Sequence, residues 1–188
     1  MKKNNWSCME IQLKYDQIVA STINCRNTCN AYEVIKASIN MDEVAMQEHF
    51  WAIYLSRNND VIGFRTISIG TINTVIVDAN LILATALLLG SKSLILVHNH
   101  PSGNLNPSQK DVDFTENMIK AAGLLDIKIE DHLIITQHNY LSMMGEGFVD
   151  FSKYDNYGGY SIERQFLIDN EGFLARAIRR RGQKQKVA

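Results

Sequence analysis

The apolar positions of the chain fall into runs of two kinds, set apart by short polar stretches. Over 30–40 (NAYEVIKASIN), Ala31, Val34, Ile35 and Ile39 recur at helical spacing, and Asn30 is placed to cap the first turn. Residues 48–56 (EHFWAIYLS) and 61–70 (VIGFRTISIG) are rich in aromatic and β-branched side chains instead, which predicts two strands. The turn signal Asn58-Asn59-Asp60 between them predicts a hairpin over 49–70. Residues 71–77 continue extended or loop over. The spacing then predicts a helix over 79–90, buried because of its LILATALLL core, with Gly90 as its natural stop. A continuous apolar run at 94–97 (LILV) suits a strand covered on both faces. Pro107-Ser108 opens a further helix that gathers Val112, Thr115, Ile119 and Ala122 on one face and ends at Gly123. A strand over 128–136 follows, with 140–143 pairing back through a turn at His138-Asn139.

This order of elements predicts an α/β fold, a mixed β-sheet flanked by helices. The organisation expected is a domain over 29–149, an N-terminal extension over 1–28 and a C-terminal extension over 150–188. The first extension is polar and reads as a loose arm or an added strand. The second is turn-rich, with room for a last helix over 161–181 broken near Gly172, and ends in the basic stretch RAIRRRGQKQKVA. Contact with nucleic acid or an acidic partner through Arg179–Arg181 is one reading of that stretch. A solvated tail is the simpler one.

Composition narrows the picture. At 188 residues, 46% hydrophobic and 21% charged, the chain has the make-up of a globular protein. A chain of this size buries roughly 70% of its unfolded surface, so it does not need a metal merely to hold together. The net charge of −1 draws in neither nucleic acid nor membrane by a global field. No signal peptide is read at the start, and LILATALLL is about half a membrane span, so no membrane partner is expected. Three cysteines, Cys8, Cys25 and Cys29, are odd in number and too few for a disulfide framework, which fits reduced thiols and a cytoplasmic location. Cys25-x3-Cys29 is at most half a metal site, with no second pair to complete it.

The special chemistry is concentrated in LVHNHPSGNLNPSQKD, residues 96–111, which holds both prolines of the chain. At the end of a strand, His98 and His100 stand at i and i+2 and point to one face. Pro101 stops the strand, since it cannot donate to a ladder. The chain returns at Ser108, which reads as an N-cap, with Asp111 as the third helical residue. An acid there is favoured by the helix dipole alone, so Asp111 taken singly is a capping acid. Together, two imidazoles and one carboxylate form a suitable set of zinc ligands with an open fourth position. His132 lies either beside this cleft or buried and hydrogen-bonded elsewhere; His49 and His138 carry no assignment.

The string His98-x-His100-Pro101-x6-Ser108-x2-Asp111 resembles the JAMM motif of the MPN (JAB1/MPN/Mov34) metalloenzymes. The fuller HNHPSG…PS..D, followed by Asp131-His132-Leu133-Ile134-Ile135, is similar to their bacterial RadC-like branch. Gln47-Glu48-x-Phe50 and Gly70-Thr71-x-Asn73 add to the likeness, which covers about residues 30–147. The branch often carries a helix-hairpin-helix segment before this domain; residues 1–28 are too short for one, so none is expected. Asp78-Ala79-Asn80 stands where many relatives have a His-Pro-Arg-like stretch.

The resemblance implies a cytidine-deaminase-like MPN/JAMM architecture and a zinc-dependent metallohydrolase with one Zn2+ per chain. It implies His98, His100 and Asp111 as metal ligands and Glu48 as the base that activates water, with Glu43 nearby and Glu33 on the preceding helix as the other glutamates to weigh. Ser108 would hydrogen-bond the tetrahedral intermediate. The substrate class implied is a protein or peptide, cut at a peptide or isopeptide bond. The alternative expectation is a non-catalytic protein- or nucleic-acid-binding module of the kind associated with DNA repair or mobile elements. A nuclease is poorly matched, because phosphodiester cleavage commonly uses two metals and ligands for one are present.

Overall fold

The computed structural model of the chain describes residues 24–25, 28–71 and 75–150. Nearly all of the two expected extensions lies outside the described residues, as do Asn73, the helix expected over 161–181 and the basic stretch around Arg179–Arg181. The described part builds α1 (Thr28–Ser38), a single 3-10 turn (Glu43–Ala45), β1 (His49–Leu55), β2 (Val61–Ile69), α2 (Ala79–Leu89), β3 (Ser93–Asn99), α3 (Gln109–Gly123), β4 (Lys128–Ile135) and β5 (Tyr140–Ser142). The five strands form one sheet in the order β2-β1-β3-β4-β5. All neighbours are antiparallel except β3 and β4, which run parallel and are joined through α3. The mixed sheet flanked by helices expected from the sequence is the architecture found.

Alternation along the strands divides the core in two. Phe50, Ala52, Tyr54, Leu94, Leu96 and Ile134 face α2 and α3. Trp51, Ile53, Leu55, Ile95, Val97, Leu133 and Ile135 face α1. Central strands β1 and β3 are buried at every residue, as an unbroken apolar run requires. The hairpin turn is closed by Asn59 at φ 62°, a left-handed position that asparagine tolerates.

The β3–β4 register shifts between Leu94 paired with Ile129 and Ile95 paired with Asp131, a bulge that leaves Glu130 as the extra residue. Ile129 and His132, three positions apart, consequently lie on the same face of the sheet.

Two local expectations are corrected. Asn30 is not the N-cap of α1: the helix starts at Thr28, and the Asn30 side chain donates to the Asn24 carbonyl at 2.6 Å, tying the helix to the segment before it. Nor is α2 buried all round. Only Ile82 and Ala86 are fully buried, while Leu87 and Leu88 are 55% and 45% exposed. A helix laid on one side of a sheet covers a stripe of itself and leaves the rest outward. Its ends follow the sequence: Asp78 caps the first turn, and Gly90 at φ 63° closes the last. No helix among the described residues is long and apolar enough to cross a membrane.

Candidate metal centre

The C-terminal end of β3 and the N-terminus of α3 meet at the mouth of a cleft of about 570 Å³. His98, His100, Asp111, Ser108 and Glu48 all line it. His98 is the penultimate residue of β3 and is buried; His100 follows the strand and is partly exposed. Their Nε2 atoms lie 3.0 Å apart. Asp111 completes the group, with Oδ1 at 3.3 Å from His98 Nε2 and Oδ2 at 3.8 Å from His100 Nε2.

Local structure explains how Asp111 arrives there. Ser108 caps α3 and forms a capping box with Asp111, the third helical residue. The Asp111 Oδ2 accepts from the Ser108 backbone N–H at 2.7 Å and from its hydroxyl at 2.6 Å. Capping and a place beside the histidines are therefore compatible: the box holds Oδ2, while Oδ1 faces His98. The Ser108 hydroxyl hydrogen is committed to Asp111 in this arrangement.

Chemistry of the donor set fits a metal. Tetrahedral zinc with ligands at about 2.0–2.1 Å separates them by about 3.3 Å; the separations here run from 3.0 to 3.8 Å. His100 donates its Nδ1–H to the Asn104 carbonyl at 2.6 Å, which makes Nε2 the nitrogen it can offer to a metal. His98 Nδ1 is bonded to His132 Nε2 at 2.8 Å. Burial lowers the His98 pKa to about 4, against the pull of Asp111 and with the help of His100. Burial likewise holds His132 well below the ordinary histidine value, aided by His98 and His100. Two imidazoles and a carboxyl group converging on one point form a donor set that zinc would complete. Among the described residues this is the group of three with metal-ligand geometry.

Glu48 precedes β1 and is fixed by its backbone: its N–H donates to the Thr71 carbonyl, and its carbonyl accepts from Gly70, both at 2.8 Å. The β1–β3 register that pairs Phe50 with His98, carried two residues on, sets Glu48 beside His100. Burial raises the Glu48 carboxyl above its ordinary pKa; His100 opposes the shift and Asp111 adds to it. That direction suits a group that must take up a proton. Phe50, Val75, Val77 and Phe114 form the apolar wall of the cleft.

Three residues at the centre carry more than the sequence suggested. Asn99, between the two histidines, points to the opposite face. There it is fully buried and satisfied: Oδ1 accepts from His49 N–H at 2.6 Å, and Nδ2 donates to the carbonyls of Val44 and Gln47 at 2.6 and 2.8 Å. It thereby clamps the segment that carries Glu48. Its signal was an amide closing a strand that is buried along its whole length, where every polar atom needs a partner. His132 is both buried and beside the cleft, against His98, Phe50 and Phe114. Thr115, the polar member of the apolar face of α3, bonds to His132. Cys25 is buried, and His49 is held by backbone contacts on the α1 side.

Comparison with known proteins follows the same residues. The family model described as "RadC-like JAB domain" matches residues 25–148. A protein of Flavobacterium johnsoniae named "UPF0758 protein" is 47% identical over 100 residues, covering 53% of this chain and 44% of its own length. A Syntrophomonas wolfei protein of the same name is 36% identical over 138 residues, 70% of this chain and 58% of the relative. One from Methanosarcina acetivorans is 37% identical over 124 residues, 66% of this chain and 54% of the relative. The chain thus spans about half the length of the curated relatives it matches.

Proposed function

The chain belongs to the RadC-like JAB domain family, and from that premise we propose that it is a zinc-dependent metallohydrolase that cleaves a peptide or isopeptide bond in a protein or peptide substrate. The observation that carries the reading is the convergence of His98 Nε2, His100 Nε2 and the Asp111 carboxyl, ligand atoms that lie within 4.8 Å of one another, with Glu48 lining the same open cleft. A zinc ion on these three ligands would polarise a scissile carbonyl and bring water at the open fourth position to a pKa of roughly 7.

The chain's own residues supply the rest. Glu48 accepts a proton from the attacking water and hands it to the departing amine; its raised pKa brings it nearer the working range for both transfers. His100 is held in its ligating form by the Asn104 carbonyl. Phe50, Val75, Val77 and Phe114 exclude water from one side of the reacting group. Ser108, which lines the cleft beside Asp111, is the donor for the charge that develops on the carbonyl oxygen. To serve it, the hydroxyl must swing away from Asp111 Oδ2.

The test is zinc per chain by elemental analysis, followed by turnover on peptide and isopeptide substrates. Wild type should hold about one zinc, and Asp111→Ala should lose it while remaining folded, because the core on both sheet faces forms without it. Glu48→Gln should keep zinc and lose turnover by a factor of about 10²–10⁴. A wild type that takes up no zinc when it is offered would overturn the reading. Full turnover in Glu48→Gln would place the base elsewhere.

A further inference from the structure

We propose that Thr115 and His132 form a hydrogen-bond relay that selects the ring form of His98 able to ligate a metal. The proposal rests on the reading of His98 as a zinc ligand. Neither Thr115 nor His132 would touch the metal; both are positioning residues.

The relay starts from a backbone carbonyl. Thr115 lies one turn beyond Asp111 in α3. Its hydroxyl has one hydrogen and two neighbours at 2.6 Å, the Asp111 carbonyl oxygen and His132 Nδ1. A carbonyl oxygen can only accept, so the hydrogen bond to it uses the threonine's hydrogen. The hydroxyl then accepts from His132, which puts that ring's hydrogen on Nδ1. A neutral imidazole carries one N–H. His132 Nε2 is therefore bare and accepts from His98 Nδ1–H at 2.8 Å. His98 in turn has no hydrogen on Nε2, the atom that faces His100 and Asp111 at 3.0 and 3.3 Å. Thus the main chain of one ligand, Asp111, dictates the ring form of another, through two side chains that are 0% exposed.

Removing the hydroxyl should reverse the chain. In Thr115→Val, a hydrogen on His132 Nδ1 would be a buried donor with nothing to receive it. The ring escapes by carrying its hydrogen on Nε2 and donating to His98 Nδ1. His98 must then hold its own hydrogen on Nε2, where the metal would bind.

Two measurements on the full chain decide the matter. The first reads the ring forms of His98 and His132 by long-range 1H–15N spectra of the zinc-free wild type. Both should carry hydrogen on Nδ1; hydrogen on Nε2 of either ring overturns the proposal. The second is zinc affinity by competition with a chromophoric chelator. Thr115→Val should bind zinc about 10- to 100-fold more weakly than wild type, and Thr115→Ser, which restores the hydroxyl, should recover to within about threefold. Wild-type affinity in Thr115→Val, or no recovery in a folded Thr115→Ser, would equally overturn it. Should Thr115→Val fail to fold, the wild-type spectra and Thr115→Ser still decide. Because the spectra are taken without metal, a chain that bound no zinc would sink the proposed function and leave the relay to be judged by its ring forms.

Discussion

Replacing Asn99 with alanine should loosen one wall of the cleft without touching a ligand. The side chain is 0% exposed and makes three hydrogen bonds, at 2.6, 2.6 and 2.8 Å. At about 1 kcal/mol net for each, their loss costs about 3 kcal/mol. The partners are not equally harmed. The Gln47 carbonyl still receives the His49 ring at 3.0 Å, whereas the His49 N–H and the Val44 carbonyl lose the bonds Asn99 gave them in a region shut off from water. For a chain of this size the loss corresponds to a fall in Tm of about 6–12 °C. Asn99→Asp should be worse than alanine, since it sets a carboxylate against two carbonyl oxygens. Urea denaturation of the zinc-free protein measures the stability, and hydrogen exchange at the His49 amide reports the segment itself. Zinc content should stay at the wild-type level, because the proposed ligands lie on the other face of the sheet. A change in stability below about 1 kcal/mol, with His49 still protected, would refute the clamp.

Two further predictions concern titration. Burial pushes the Cys25 thiol up to about 11, so in a Cys8→Ser, Cys29→Ser background it should resist a disulfide reagent at pH 8 until the protein is unfolded; fast reaction of the folded chain would contradict this. Burial lowers His98 to about 4 and His132 well below its ordinary value, so below pH 6.5 the unfolded chain binds protons that the folded one refuses. The stability of the zinc-free protein, full above pH 6.5, should therefore fall as the solution is acidified toward pH 4, His98 alone accounting for about 3 kcal/mol; a urea midpoint that stays level from pH 7 to 5 would show that the rings are not held neutral.

Much of the fold was legible because its signals are local. The strand at 49–55 and the apolar run at 94–97 announce themselves by composition, and Gly90 and Ser108 end or begin helices where they were expected to; the Asp78 cap went unread. His98, His100 and Asp111 were legible for a related reason: one strand end and one helix start, close in the chain, hold all three. What the sequence concealed depends on partners far along it. The fate of Asn99 is decided by Val44 and His49, and that of Thr115 by a histidine on the next strand. The outward side of α2 shows the reverse error, in which apolar composition alone suggested burial that Leu87 and Leu88 do not have.

The bulge at Glu130 bears on how this strand tolerates change. Upstream and downstream of it, β4 runs in two different phases of in-and-out alternation, joined by one residue. Deleting Glu130 would merge the phases. If the downstream half yielded, His132 and Ile134 would turn toward α1, and Leu133 and Ile135 toward the cleft. If the upstream half yielded instead, Ile129 would leave the core face. Point substitutions along β4 are graded injuries, each answerable by its neighbours. Loss of a single residue at 130 acts like a frameshift in three dimensions, exchanging the two buried faces of half a strand at once.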